Sequence, residues 1–347
     1  MNSDIFLWLA QDGLINGTIY ALLALALLLV FAVTRVIFVP QGEFITFAAL
    51  SLSLLEAGRT PGTLYILVLG GIAAAAIEAF GALRERAWKR LPRIVAIYVL
   101  LPLSVAALVA WAAPRRPDQW LQVLLVLAMV VPLGPIIYRI AYQPLANASV
   151  LVLFIVSMAV HYVLMGLSLV YFGSEGLRAR PFSDAKFKLG VVDVSAQSLL
   201  VVGAGIVLIV ALWLLFERSI YGKALRATAM NRVGARLVGI PTVLTGHLSF
   251  LLAAFIGAVS GILIAPITTL YYDTGFLIGL KGFVGAILGG MASYPLAAAG
   301  SIAVGMLESF SSFWASAFKE VIVFTAIIPV LVWLSLRSRH VEEDEEQ

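Results

Sequence analysis

Residues 15–33 read INGTIYALLALALLLVFAV, a stretch without a charged side chain. A helix of about 19 residues rises about 28 Å, close to the roughly 30 Å hydrocarbon thickness of a bilayer. The stretch therefore predicts a transmembrane helix. The residues before it contain neither a basic segment nor an Ala-x-Ala cleavage site. We therefore expect a retained first span rather than a signal peptide.

The composition extends this prediction to the whole chain. The 347 residues are 62% hydrophobic and 12% charged, and the mean hydropathy is +1.03. Soluble domains are about half apolar and about a quarter charged. The apolar runs are too continuous for the alternating strands of a membrane β-barrel. The predicted fold class is an all-α polytopic membrane protein.

The apolar runs and their polar breaks predict about eleven transmembrane or re-entrant helices. The second run is short for a full crossing, so it is a candidate re-entrant or broken helix. The predicted segments are 15–33, 44–55, 64–82, 94–113, 120–140, 150–172, 198–216, 244–270, 276–291, 295–313 and 321–336.

Basic residues predict the orientation of these helices. Two loops rich in Lys and Arg, Arg84–Arg93 and Tyr221–Pro241, are expected on the cytoplasmic side. Alternation then places the N-terminus outside and the C-terminus in the cytoplasm. We expect one transmembrane domain over 1–337 and an acidic, solvated cytoplasmic tail over 338–347, to which no function is assigned.

Several chemistries are excluded by the residue types. The chain has no cysteine, which removes disulfides and thiolate chemistry. It also lacks a Gly-x-x-x-x-Gly-Lys-Ser/Thr nucleotide motif, His-Glu-x-x-His and Gly-x-Ser-x-Gly. We therefore expect no catalytic residues, no metal and no cofactor in this chain. The net charge of +4 fits cytoplasmic loops, so a nucleic-acid partner is not expected.

The cytoplasmic stretch 217–240 reads ERSIYGKALRATAMNRVGARLVGI. As a single helix from Gly222 to Gly239, ending at a Gly-Ile-Pro stop, it would lie along the membrane surface. One interpretation is a basic helix that touches anionic lipid. The other is a docking helix, in which small residues let a partner approach the backbone.

This stretch resembles the cytoplasmic coupling loop of the H-type permease subunit in bacterial ATP-driven branched-chain amino acid importers. The general importer pattern begins with Glu-Ala-Ala, whereas this chain has Ala227, Thr228 and Ala229. Gly13–Phe44 and Phe276–Ser309 are similar to the N- and C-terminal signatures of the same family. The positions that match the coupling pattern are Gly222, Arg226, Ala227, Ala229, Asn231, Ala235, Leu237, Gly239 and Ile240.

The resemblance implies a non-catalytic permease in the bacterial inner membrane that moves branched-chain or other hydrophobic amino acids. Related importers also take urea or short amides. The implied partners are a second paralogous permease, two cytosolic subunits that carry ATP and magnesium, a periplasmic or lipid-anchored solute-binding protein, and membrane lipids. The expected contacts with the ATPase are Gly222, Arg226, Ala227, Ala229, Asn231, Arg232 and Gly239.

One feature separates this chain from the family pattern. Between residues 64 and 118 it has an apparent extra helical pair, where the family passes with one span.

The sequence leaves alternative functions open. They are an ion-coupled secondary amino acid transporter and a membrane-embedded enzyme or structural subunit. The coupling stretch argues against the first, and the absence of a reactive cluster argues against an enzyme.

Polar residues within spans are the candidates for the translocation pathway, because burying them in a bilayer is unfavourable. They are Asn16, Gln41, Glu43, Lys281 and Glu308. Glu43 follows a break at Pro40-Gln41-Gly42. It is expected either to meet a zwitterionic substrate at a discontinuous helix or to cap that helix near the cytoplasmic face.

Lys281 and Glu308 fall on adjacent antiparallel spans and are expected to pair, with a structural role favoured over substrate binding. Glu320 is expected to snorkel at the outer membrane boundary. A face of small residues is expected to permit close helix packing, including packing against the second permease. Its members are Gly282, Gly285, Gly289 and Gly290.

Overall fold

The computed structural model describes residues 3–189, 192–290 and 293–332. Each of the predicted apolar segments overlaps a helix or a run of helical turns, and the last continues as a helical stretch over 327–332 to the end of the described residues. The bounds differ in places, because the first helix already begins at Ser3 and the helix within 244–270 ends at Ile264. The helices are α1 Ser3–Thr34, α2 Glu43–Glu56, α3 Thr63–Arg84, α4 Trp88–Arg115, α5 Gln119–Leu145, α6 Val150–Phe172, α7 Ala196–Arg218, α8 Ile220–Met230, α9 Arg232–Leu237, α10 Thr242–Ile264, α11 Thr274–Leu288, α12 Tyr294–Trp314 and α13 Lys319–Thr325.

Within the described residues, eight of these helices are long and apolar enough to cross a membrane: α1, α3, α4, α5, α6, α7, α10 and α12. The all-α polytopic fold is therefore confirmed. Helices α2 and α11 have 14 and 15 residues and rise only about 21 to 23 Å, which is shorter than the bilayer core. The number of complete crossings and their orientation remain predictions.

Two of the long helices are irregular where proline removes a backbone donor. In α4, a π-helical turn at Ala96–Leu100 precedes Pro102. In α5, the regular helix Gln119–Val130 stops before Pro132, and a π-helical turn follows at Tyr138–Tyr142. Proline lacks the N–H that an α-helix requires, so the freed carbonyls are accommodated by locally wider or tighter turns.

A small antiparallel sheet lies in the long polar segment before α7. Strand β1, Lys186–Leu189, pairs with β2, Val192–Ser195, and Phe187 lies opposite Val194.

The fold divides into two compact units. The central unit comprises residues 29–182 and 210–277, and the terminal unit comprises residues up to 28, 183–209 and 278 onward. The single domain predicted over 1–337 stays a prediction. The acidic tail predicted over 338–347 lies outside the described residues.

Glycines set the helix packing of the terminal unit. A Cβ on Gly282 would lie 2.7 Å from Cβ of Leu23 on α1, and one on Gly285 would overlap the side chain of Ser301 on α12. Gly289 is packed in the same way against Ala297. The close packing expected of these glycines is confirmed, but their partners are helices of the same chain, so the expectation that they meet a second permease is wrong for these three.

Helix α2 forms the core of the central unit, with every residue from Glu43 to Leu55 buried. Two glycines of α10 make room for it. A Cβ on Gly257 would lie 2.8 Å from Cβ of Phe44, and one on Gly261 would lie 2.9 Å from Cα of Ile45. Such small residues allow the backbones of membrane helices to approach closely.

Helices α3 and α4 form the predicted helical pair within 64–118. Ala75 and Ala82 of α3 pack on Ile94 of α4, and Gly71 faces the ring of Pro102, whose Cγ would lie 3.1 Å from an added Cβ. That this pair is additional to the family pattern remains a prediction.

Candidate functional site

The cytoplasmic stretch consists of two capped helices. The Ser219 hydroxyl accepts a hydrogen bond from the Gly222 N–H at 2.9 Å and caps α8. Asn231 is extended, with φ −150° and ψ 102°, and its Oδ1 accepts from the Gly234 N–H at 2.8 Å, which caps α9. The prediction of one helix from Gly222 to Gly239 is therefore wrong, because the Asn231 side chain replaces the helical backbone bond.

Helix α9 ends at the predicted Gly-Ile-Pro stop. Gly239 has φ +85°, its N–H donates to the carbonyl of Arg236 at 3.0 Å, and the Ile240 N–H donates to that of Ala235 at 2.9 Å. This pair of bonds is the Schellman arrangement, which needs a residue at positive φ and favours glycine there. Pro241 then prevents continuation of the helix.

One face of α8 is anchored in the protein. Leu225 is 1% exposed and packs with Leu29 and Val33 of α1. The same cluster includes Leu248 and Leu252 of α10. This face therefore connects the cytoplasmic stretch to α10 and to the C-terminal end of α1, which belong to the central unit.

Large apolar side chains on and directly after α8 and α9 are exposed, and we call them together the docking face. Their exposed fractions range from 63% to 88%. Monomeric soluble surfaces rarely collect apolar side chains in this way, so the face is suited to contact with another molecule. Of these side chains only Leu237 belongs to the predicted coupling pattern; the others follow neither helix nor strand periodicity, so no sequence pattern indicated them. The side chains of the docking face are Ile220, Tyr221, Met230, Val233, Leu237 and Val238.

The residues predicted to contact an ATPase have different surroundings. Arg226 donates to the Glu217 carboxylate at 2.7 Å, and both side chains are well exposed. Arg232 donates to the carbonyl of Ala146 at 2.8 Å. Ala229 is exposed and Ala227 is half-buried.

Gly222 is buried, and a Cβ there would lie 2.6 Å from Cα of Phe216. Gly222, Asn231 and Gly239 therefore shape the stretch, Arg232 anchors it, and Arg226 and Ala229 lie at its surface.

Helix α10 also contacts the predicted break near Gln41. The side-chain amide of Gln41 donates to the carbonyl of Ala253 at 2.9 Å. The next turns of α10 carry Gly257 and Gly261, which admit α2. One helix therefore contacts both the buried face of α8 and the start of α2.

The predicted discontinuity before α2 is confirmed. A short 3-10 turn, Val39–Gly42, precedes Glu43, the first residue of α2. Glu43 Oε1 lies 2.9 Å from Nδ1 of His161, and both side chains are at most 2% exposed. His161 is 11 residues from either end of Val150–Phe172. Glu43 therefore lies in the first turn of α2, beside the midpoint of α6. Its role, as a cap of α2 or as a contact for a zwitterionic substrate, stays a prediction.

The start of α11 meets the start of α2. A Cβ on Gly42 would overlap the carbonyl oxygen of Gly275, and the Gly275 N–H donates to the Thr46 hydroxyl at 3.1 Å. The Phe276 ring stacks on His161 with centroids 4.2 Å apart. Two short helices thus bring their N-terminal ends, which carry partial positive charge, to the buried Glu43.

Two buried acceptors at this break have no hydrogen-bond partner among the described residues. They are Oε2 of Glu43 and Oε1 of Gln41. Buried acceptors are normally satisfied, so such atoms are suited to receive donors from a ligand. The sequence identified Gln41 and Glu43 through the Pro40-Gly42 break, but it did not connect them to His161 or Phe276.

A second polar cluster lies in the terminal unit. Nζ of Lys281 lies 2.5 Å from Oε1 of Glu308 and 3.0 Å from Oε1 of Glu320. The hydroxyl of Tyr20 donates to Oε2 of Glu308. The expected contact between Lys281 and Glu308 is confirmed, whereas Glu320 binds Lys281 instead of only reaching toward the membrane boundary. Asn16 is half-buried one turn before Tyr20 on α1.

The predicted translocation residues thus form two groups. Gln41 and Glu43 belong to the central unit, and Asn16, Lys281 and Glu308 to the terminal unit. In the part of the chain that the structure describes, no group of three or more His, Asp or Glu side chains is suited to hold a metal ion.

Comparison with known proteins agrees with this architecture. A family model for the permease component of branched-chain amino acid transport systems matches residues 95–332. The cytoplasmic stretch and Phe276–Ser309 lie within that match, and Gly13–Phe44 lies before it. The chain is 29% identical over 207 residues to the high-affinity branched-chain amino acid transport system permease protein LivH of Escherichia coli (strain K12), which covers 56% of this chain and 66% of that protein.

Two further relatives carry related names. The chain is 28% identical over 207 residues to permease protein BraD of Pseudomonas aeruginosa, covering 58% of this chain and 67% of BraD. It is 32% identical over 225 residues to a probable LivH permease of Methanocaldococcus jannaschii, covering 62% and 70%. The chain spans a little under two thirds of the length of its enterobacterial relatives.

The family match covers well over half of the chain and coincides with most of its spanning helices. The chain is thus a multi-pass inner membrane protein. It belongs to the family of permease components of branched-chain amino acid transport systems.

Proposed function

We propose that this chain is the H-type permease subunit of an ATP-binding-cassette importer for branched-chain or other hydrophobic amino acids. In this role it catalyses no covalent step and forms part of a pore in the bacterial inner membrane. Urea and short amides are further candidate substrates. The ion-coupled secondary transporter has no support among the relatives, all of which are named as permeases of transport systems or transport permeases.

The observation that carries this proposal is the position of α10. It contacts α8, its Leu248 and Leu252 pack on the cluster that contains Leu225, and its Ala253 carbonyl accepts a hydrogen bond from Gln41 just before α2. A displacement of α8 would therefore move a helix that contacts the discontinuity at mid-depth. Rigid packed elements are suited to transmit such a displacement because they have few alternative arrangements.

The displacement of α8 would originate at the docking face, where a partner subunit would bind. Its six exposed apolar side chains fit the cleft of a cytosolic ATP-binding subunit, and Arg226 and Ala229 lie at the same surface. ATP and magnesium would bind to two such partners and not to this chain. Closure of the ATPase pair would pull on α8 and α9 and shift the population between the two open states of the pore.

The break at Glu43 is suited to a zwitterion. The free acceptor oxygens of Glu43 and Gln41 would receive an ammonium group. The converging N-terminal ends of α2 and α11 favour a carboxylate. Phe276 and Phe44 supply apolar surface for a hydrophobic side chain. Lys281 and Glu308 satisfy one another, which supports a structural role in the pore.

The remaining partners follow from the family. A second paralogous permease would complete the pore, and a periplasmic or lipid-anchored solute-binding protein would deliver the amino acid. Membrane lipids surround the exposed apolar helices.

The proposal is tested by ATP hydrolysis in the co-purified complex in lipid, with and without leucine-loaded binding protein. Arg226→Glu places a second carboxylate beside that of Glu217. Gly239→Pro removes the N–H that donates to Arg236 and excludes φ +85°. We expect both variants to lose the stimulation by loaded binding protein, whereas Lys186→Glu, in the exposed β1 strand, keeps it.

A different result would overturn the proposal. If no ATPase co-purifies, or if uptake persists in both variants and follows a proton gradient, the cytoplasmic stretch is a lipid-facing helix and the chain is a secondary transporter.

A further inference from the structure

A polar cleft opens between α3 and α4, outside the coupling stretch and the break at Glu43. Its volume is about 360 Å³. Its charged and aromatic lining comes from both helices and from α5: Glu78, Glu85, Arg90, Arg93, Tyr98 and Arg139. Most of this hairpin precedes residue 95, where the family match begins.

The charges of the cleft are only partly compensated. Glu78 binds Arg139 at 2.5 Å, and Glu85 binds Arg90 at 3.2 Å. No carboxylate in the described part of the chain pairs with Arg93. Further exposed cations without a carboxylate partner there flank the cleft in sequence: Arg84, Arg86 and Lys89. Three arginines and two glutamates line the cleft, and three further cations lie next to it in sequence, so positive charge is in excess there.

Arg86 occupies a backbone position that favours glycine. Its φ is +54°, its N–H donates to the Leu83 carbonyl at 3.1 Å, and the Ala87 N–H donates to that of Ala82 at 2.8 Å. This is a Schellman end of α3, in which glycine avoids the strain that an arginine incurs. An arginine at this position adds a cation next to the cleft in sequence, in a backbone conformation that is less favourable for arginine than for glycine.

The hairpin that carries the cleft presents apolar side chains to its surroundings. Phe80 and Trp88 are 71% and 62% exposed, and Leu83 and Ile97 are also exposed. Both helices are long and apolar enough to cross a membrane, so these side chains are suited to contact lipid, and tryptophan is favoured at the level of the head groups. The cleft therefore lies where a spanning hairpin meets the membrane surface.

We infer that this arginine-lined cleft binds the phosphate group of an anionic phospholipid. A phosphate offers several acceptor oxygens, and guanidinium groups bind them with two parallel N–H donors. The apolar side chains around the opening fit acyl chains, which inorganic phosphate lacks. Basic pockets at the ends of membrane helices bind anionic head groups for the same reasons.

Native mass spectrometry of the full chain in detergent tests this inference, with phosphatidylglycerol or phosphatidylcholine of matched acyl chains as probes. The double variant Arg86→Gly and Arg93→Gln removes two cations, and glycine at 86 suits the backbone. We expect the native chain to bind phosphatidylglycerol at least tenfold more tightly than phosphatidylcholine. We expect the double variant to bind phosphatidylglycerol roughly thirtyfold more weakly than the native chain does.

Three controls make the outcome specific. Lys186→Gln with Lys188→Gln removes two exposed cations elsewhere and should leave binding unchanged, and Arg93→Lys should retain most of it. An unchanged thermal midpoint shows that the double variant is folded. Equal binding of both lipids, equal binding to the double variant, or full displacement of the lipid by inorganic phosphate would overturn the inference.

Discussion

Glu43 and His161 are separated by 118 residues in the chain, yet Oε1 of one lies 2.9 Å from Nδ1 of the other. Neither side chain is appreciably exposed. The contact exists because the chain breaks at Val39–Gly42, so that α2 starts opposite the midpoint of α6. A carboxylate at this depth requires a partner, since an isolated charge there is strongly unfavourable.

The energetic coupling of this pair is measurable by a double-mutant cycle with Glu43→Gln and His161→Gln. We expect a coupling of about 1 to 3 kcal/mol in the free energy of unfolding, because each single change leaves a buried polar group unsatisfied. Denaturant unfolding in detergent gives the four values.

A matched cycle on the exposed pair Glu85 and Arg90 serves as the control, with an expected coupling of at most about 1 kcal/mol. Equal couplings in the two cycles would mean that the buried contact adds no more than a surface ion pair.

Gly285→Ala is expected to destabilise the hairpin of α11 and α12. Its Cβ would overlap the Ser301 hydroxyl and lie 2.7 Å from Cα of that residue, so the helices must separate at a cost of about 1 to 3 kcal/mol. The thermal midpoint in detergent should fall. Gly203→Ala, where no heavy atom lies within 4 Å of the added Cβ, should leave it unchanged or raise it. A neutral Gly285→Ala would contradict the packing described here.

Leu225→Ala is expected to uncouple ATP hydrolysis from transport. Truncation of this buried side chain loosens the contact of α8 with α1 and α10 and leaves the docking face intact. We expect the ATPase to remain bound while the amino acid transported per ATP falls at least severalfold in proteoliposomes.

The reciprocal variant removes the docking face itself. Met230→Ser with Leu237→Ser changes two of its most exposed side chains and is expected to release the ATPase during purification. If the ATPase co-purifies with this double variant but not with Leu225→Ala, the ATPase binds through the region of Leu225 and not through the docking face.

Asn231→Ala is expected to weaken the division between α8 and α9. It removes the Oδ1 that accepts from Gly234, which is worth about 1 kcal/mol, and alanine favours a continuous helix. Hydrogen exchange at residues 232–237 should accelerate, and transport should decrease. Asn231→Asp keeps a capping oxygen and should behave as the native chain does; a similar loss in both variants would exclude capping as the cause.

Several of these features were predictable from local sequence patterns. The Gly-Ile-Pro stop of α9 was predictable because Gly239 and Pro241 act on their own backbone. The contact of Lys281 with Glu308 was predictable because both lie on neighbouring helices joined by a short turn. The break before α2 followed from Pro40 and Gly42.

Other features had no local signal. Asn231 was expected within one helix, yet its side chain ends α8 and starts α9. Glu320 was placed at a membrane boundary, whereas it binds Lys281. The docking face combines side chains from two helices whose mutual angle the sequence does not specify.

The sequence by itself determined the membrane fold, because long apolar runs have low free energy only as helices with satisfied backbone bonds in a bilayer. Local signals also marked some helix ends, such as the Gly-Ile-Pro stop after α9, but not others, because α1 begins at Ser3 instead of Ile15 and α8 ends at Met230. Only the tertiary structure decided that Glu43 meets His161 and that α10 contacts both α8 and Gln41. Those contacts depend on the close packing of helices distant in the chain, and apolar side chains alike in hydropathy do not specify their neighbours.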